Sequence, residues 1–142
     1  MPNPTRPTAA PPVPDLPVYR DEYTEGPTYE RLFGEGPAAV VCRLPELVGV
    51  NGAYAIYVVG LRMAPVIEPG DIIFINTSAP PLPGRLVILL PSNCDGVVMI
   101  GRLVEETGEE ILLQQENPED EIILDRSDVE AMHVIQYVRK FT

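Results

Sequence analysis

Residues 53–75 read AYAIYVVGLRMAPVIEPGDIIFI. Residues 53–59 form a short apolar run rich in β-formers, and residues 72–75 form a second. Gly60, Pro65, Pro69 and Gly70 punctuate the link, which predicts strand, tight loop, strand. Pro69-Gly70-Asp71 is a turn by mechanism. Proline presets φ at one corner, and glycine takes the positive-φ corner that follows. A loop tied this tightly at both ends holds residues 61–64 in a fixed place, which is how a site is built.

Further strand signals recur along the chain. The spacing predicts strands at 85–90, 97–104, 110–115, 121–124 and 133–141, besides 72–76 and a short one at 39–43. Proline, glycine and acidic residues separate them at 77–84, 91–96, 105–109 and 116–119. Such spacing predicts an all-β, barrel-like or sandwich domain. One helical turn is expected at 128–132, capped by Ser127 or Asp128. No segment reads as a helix-turn-helix.

Upstream, residues 1–17 hold seven of the seventeen prolines. A segment so poor in backbone donors favours extended polyproline conformations, so 1–17 reads as a proline-rich arm, either solvated or docked on a partner. Residues 18–44 are an acidic connecting segment, and 45–142 form the β domain.

The net charge is −11, from 21 acidic and 10 basic residues. A field of that sign repels phosphate backbones and anionic lipid. The expected partner is therefore another protein, not nucleic acid or a membrane. No run approaches the about eighteen apolar residues of a membrane span, and no signal peptide pattern opens the chain. The expected location is cytoplasmic. Cys42 and Cys94 read as reduced thiols there. No His or Cys cluster has metal-ligand spacing, so neither metal nor cofactor is expected. His133, the single histidine, reads as a structural residue.

The central stretch resembles the LexA-like serine peptidases, the self-cleaving repressors and UmuD-type proteins that share a fold with signal peptidases. Their strand ends in Gly-x-Ser-Met-x-Pro, followed by a Gly-Asp turn into an apolar strand. Here the matching residues are Gly60-Leu61-Arg62-Met63-Ala64-Pro65 and Gly70-Asp71. Arg102-Leu103, Glu116-Asn117-Pro118 and residues 133–141 continue the resemblance, which covers roughly 45–141. It implies a serine at position 62 and a lysine at position 101, the lysine taking the serine's proton from a desolvated pocket that lowers its pKa. This chain has Arg62 and Gly101 instead. A guanidinium is neither nucleophile nor base, and glycine has no side chain. Ser78, Ser92 and Ser127 fall in predicted turns, and Lys140, the only lysine, lies on the last strand. The family's Ala-Gly or Cys-Gly cleavage dipeptide occurs nowhere. The resemblance implies the fold, and the residues argue against the activity.

Arg62 is then either a surface residue of a decayed site or a binding residue paired with a carboxylate, from Asp21, Glu22, Glu25 or Glu35 or from a partner. Met63 reads as core packing ahead of recognition, and stands beside Arg62 as a binding candidate. In the resembled family the closing strand contributes to a two-fold dimer. Alternation in HVIQYVRKF sets Ile135, Tyr137 and Arg139 on one face, so a homodimer through those residues is expected. Two functions follow: a catalytically inactive LexA-like domain of phage or prophage origin serving as a regulatory or protein-interaction module, or a virion decoration protein whose arm docks on its neighbours.

Overall fold

The computed structural model describes residues 13–20, 29–34, 36–93 and 95–141. They form one nine-stranded sheet whose order is β2-β1-β3-β4-β9-β5-β6-β7-β8. The strands are β1 (Leu16–Arg20), β2 (Ala39–Val41), β3 (Tyr54–Tyr57), β4 (Ile72–Asn76), β5 (Leu86–Pro91), β6 (Met99–Glu106), β7 (Glu110–Glu116), β8 (Glu119–Asp125) and β9 (Val129–Arg139). Every neighbouring pair is antiparallel except β1 with β3. Among the described residues, helical structure is limited to α1 (Tyr29–Phe33) and two single 3₁₀ turns. The all-β expectation is therefore what the chain adopts. Among the described residues no helix is long and apolar enough to cross a membrane.

The strands follow from apolar runs that have one or both faces to bury. β4 reads IIFIN, and Ile73, Phe74 and Ile75 are all fully buried, because apolar side chains cover both faces of the sheet there. On one face Tyr54, Ile56, Val58, Met63, Ile67, Ile73, Ile75 and Ile135 pack together. On the other, Phe74 joins Leu16, Val18, Leu47, Ala53 and Ala55. A third cluster, with Val87, Leu89, Leu103, Ile111 and Leu113 at its centre, underlies β5–β7. At about 1.5–3 kcal/mol for each fully buried large apolar side chain, these clusters are the main force against chain entropy.

Three details differ from the sequence reading. Leu16–Arg20 is a strand despite its proline, paired antiparallel with β2 and parallel with β3. Leu16 is fully buried and Val18 nearly so, and apolar burial outweighs the local proline signal. The helical turn expected at 128–132 is a 3₁₀ turn at Arg126–Asp128 followed directly by β9.

The third difference lies inside β9. Phe74 pairs with Tyr137 but Ile75 pairs with Ile135, so Gln136 is an extra residue, a β-bulge. The bulge breaks the alternation, and Val134 and Ile135 are buried in succession. Ile135 joins the cluster with Ile73 and Ile75, while Tyr137 and Arg139 lie over Phe74 on the opposite face. The expected dimerisation set is thereby split. Ile135 is core and presents no surface, whereas Tyr137 and Arg139 are exposed.

Candidate functional site

The loop between β3 and β4 is closed at its base by two backbone bonds. Val58 N–H donates to the Asp71 carbonyl and Gly70 N–H to the Val58 carbonyl, both at 2.8 Å. Gly70 has φ +93°, the left-handed corner that the Pro-Gly-Asp turn requires. The Asp71 side chain does the rest. It is 1 % exposed and accepts from Lys140 Nζ at 2.7 Å, Glu68 N–H at 2.8 Å and Phe141 N–H at 3.0 Å. Burial alone would raise its pKa. The lysine and the two backbone donors outweigh burial and hold the carboxyl below its usual range.

Lys140 is thus a clamp. Its ammonium also donates to the Val66 carbonyl at 3.1 Å and lies 3.5 Å from Glu68. Its hydrogen bond to Asp71 is the main reason its pKa is raised. A general base needs the opposite shift, and this ammonium is engaged by Asp71, Glu68 and the Val66 carbonyl.

Arg62 sits at the turn of the loop, half-buried. Its carbonyl is gripped by the hairpin turn between β7 and β8, accepting from Glu116 N–H at 3.2 Å and Asn117 N–H at 2.9 Å. Its guanidinium points inward. Nε donates to Gln115 Oε1 at 3.1 Å, and Nη2 donates to the same oxygen. Gln115 is 3 % exposed, and its Nε2 donates to the Ile100 carbonyl at 3.0 Å. A buried amide is tolerable only when both its oxygen and its nitrogen are used, and here both are. Arg62, Gln115 and the backbone of β6 form one connected network.

Gly101 faces the same network, since pairing of Arg102 with Gln114 sets it beside Gln115. It has no room for a side chain. A Cβ there would lie 2.6 Å from Leu113 Cγ and 2.8 Å from the Gln114 carbonyl oxygen. Met63 is 3 % exposed and packs in the core with Ile56, Val58 and Ile67. The carboxylates considered as partners for Arg62, namely Asp21, Glu22, Glu25 and Glu35, lie outside the described residues, as does Cys94. The partner that the structure does place against Arg62 is Gln115. Nothing in the sequence marked it, because a glutamine ending a β-run looks like an ordinary strand terminus.

One other hydroxyl has a candidate base. Tyr54 Oη lies 3.2 Å from His133 Nδ1. Burial pushes the tyrosine pKa above its ordinary value and holds the histidine's below its own. Both shifts disfavour the charged forms, and the contact links β3 to β9 as a hydrogen bond whose direction follows the imidazole tautomer. Among the described residues no group of three or more His, Cys, Asp or Glu could hold a metal ion.

The loop between β3 and β4 is thus clamped at its base by Asp71 and Lys140 and held at its turn by the β7–β8 hairpin. A family model described as Peptidase S24-like matches residues 35–135, and the chain belongs to that family. It is also similar to "Repressor protein C" of Rhizobium phage 16-3, at 31% identity over 132 residues, 89% of this chain and 50% of that protein. The chain spans about half the length of this curated relative.

Proposed function

We propose that this is a Peptidase S24-like domain without peptidase chemistry, serving as a regulatory, partner-binding module in a phage-related setting. The observation that carries the reading is the bonded pair Arg62–Gln115 in the place of the nucleophile, with Gly101 closed against Leu113. Arginine stays protonated and offers no electron pair. The likeness to a phage repressor favours regulation over a virion subunit. Because that relative is named a repressor, the expectation that nucleic acid plays no part gains no support from it. The argument from a net charge of −11 concerns this domain's own surface.

The test is self-cleavage. Wild-type protein is expected to remain a single species by mass spectrometry over days at pH 10, as is Arg62→Ser, because a serine without its base is a weak nucleophile. The clamp remains intact at that pH. The raised pKa of Lys140 keeps its contribution to stability until pH climbs beyond the ordinary lysine value of 10.5. Cleavage of the wild type that Arg62→Ala abolishes would overturn the reading.

Association is the second part of the proposal. Residues 135–139 of β9 pair with β4, and no described strand pairs with them on the β5 side, where the ladder stops at Val134. Tyr137, half-exposed, and Arg139 border that edge. Light scattering is expected to give twice 15.6 kDa at micromolar concentration. Tyr137→Glu should weaken the dimer at least about tenfold, equivalent to ~1.4 kcal/mol. A mass of 15.6 kDa across a wide concentration range would refute it.

A further inference from the structure

The opposite end of the sheet has its own chemistry. β8 is the last strand in the order, and among the described residues none lies beyond it. Its outer edge therefore presents backbone N–H and C=O groups able to receive another strand. Alternation sets Glu121, Ile123 and Asp125 on one face of β8, paired across to Gln114, Leu112 and Glu110 of β7. Ile123 is 64 % exposed, and beside it lies a shallow hollow lined by Glu105, Thr107, Glu110, Leu112 and Ile123. The face is an apolar step inside a ring of carboxylates.

That ring lies in the most acidic part of the chain. Residues 105–130 contain eleven acidic side chains and one basic one, Arg126, so nearly all of the net −11 is concentrated on this part of the chain. The concentration selects among occupants. A second copy adding its own β8 would bring Glu and Asp against Glu and Asp, and like charges directly opposite are destabilising. A nucleic acid or an anionic membrane is repelled by the same field.

We infer that β8 is the docking edge for an extended, basic segment of another protein. Backbone groups of that segment extend the sheet, one of its apolar side chains rests on Leu112 and Ile123, and its Lys or Arg side chains meet Glu105, Glu110, Glu121 and Asp125. Long-range attraction to the acidic face speeds encounter and makes it salt-dependent. The inference does not depend on the state of the peptidase-like site, which lies on other residues.

The test is an NMR titration of the ¹⁵N-labelled full chain with a synthetic peptide of about nine residues alternating valine with lysine or arginine. A control peptide carries glutamate at each basic position. Expected are shift changes centred on residues 110–125, loss of affinity as salt rises, and no binding of the acidic control. Ile123→Glu, at an exposed position that leaves the core intact, should weaken binding at least tenfold. Val48→Glu, which changes an equally exposed apolar residue elsewhere, 70 % exposed, should leave it unchanged. Equal affinity in Ile123→Glu, shifts centred elsewhere, absence of binding, or β8 shifts that respond to dilution of the protein alone, the mark of a second copy on this edge, would each overturn the inference.

Discussion

Asp71→Ala is expected to destabilise the domain by about 3 kcal/mol, the lower end of what removing one partner of a buried ion pair costs. The low end applies because Lys140 is 45% exposed and can turn to water, whereas the Glu68 and Phe141 N–H groups lose their acceptor. The pH dependence gives the effect a signature. A carboxyl with a depressed folded pKa contributes stability that is fully present above its unfolded value of 3.8 and is lost as pH falls through the lower folded value. The gap in Tm between wild type and Asp71→Asn should therefore be flat from about pH 5 to 8 and shrink only in stronger acid. A gap independent of pH down to pH 2 would show that the carboxylate charge is not what holds the clamp.

Gly101→Lys is expected to fail structurally before any chemistry is tested. A Cβ at 2.6 Å from Leu113 Cγ and 2.8 Å from a backbone oxygen forces the β6–β7 ladder apart, because a carbonyl in a ladder cannot step aside as a side-chain tip can. Overpacking of this kind costs about 1–3 kcal/mol and occasionally more. The upper end applies here, and Tm should fall by roughly 6–12 °C. Gly101→Ala should show most of that loss. For the same reason Arg62→Ser combined with Gly101→Lys is expected to yield no self-cleavage. Leu113 occupies the space that a side chain at position 101 would need. Wild-type Tm in Gly101→Lys, or cleavage by the double variant, would contradict this.

Much of the sheet was readable because its signals are local. β4 falls on the residues whose apolar run and Pro-Gly-Asp turn announced it, and β3 and β5–β9 lie within a few residues of their apolar runs. Arg62 and Gly101 were legible as departures from a motif. What the sequence hid was long-range. Asp71 and Lys140 stand 69 residues apart, and Arg62 and Gln115 stand 53 apart, so nothing in either neighbourhood announces the partner. β1 was hidden by its proline, since burial of Leu16 and Val18 depends on strands more than thirty residues downstream. The bulge at Gln136 was hidden because HVIQYVRKF alternates as a regular strand would, and the slip is imposed by pairing with β4.

That last strand has a consequence for assembly of the chain. β9 pairs through residues 134–139 with β4 and through residues 129–134 with β5, and no other described ladder joins the β1–β4 half of the sheet to the β5–β8 half. The seam follows both halves in sequence. On a ribosome, each half can hairpin with itself but must wait, with raw edges at β4 and β5, until β9 emerges to zip them together. Non-local closure of this kind is slow, and exposed strand edges are where chains aggregate. A nascent chain stalled before residue 129 would therefore lack the seam that joins its two half-sheets and leave the β4 and β5 margins open to the wrong neighbours.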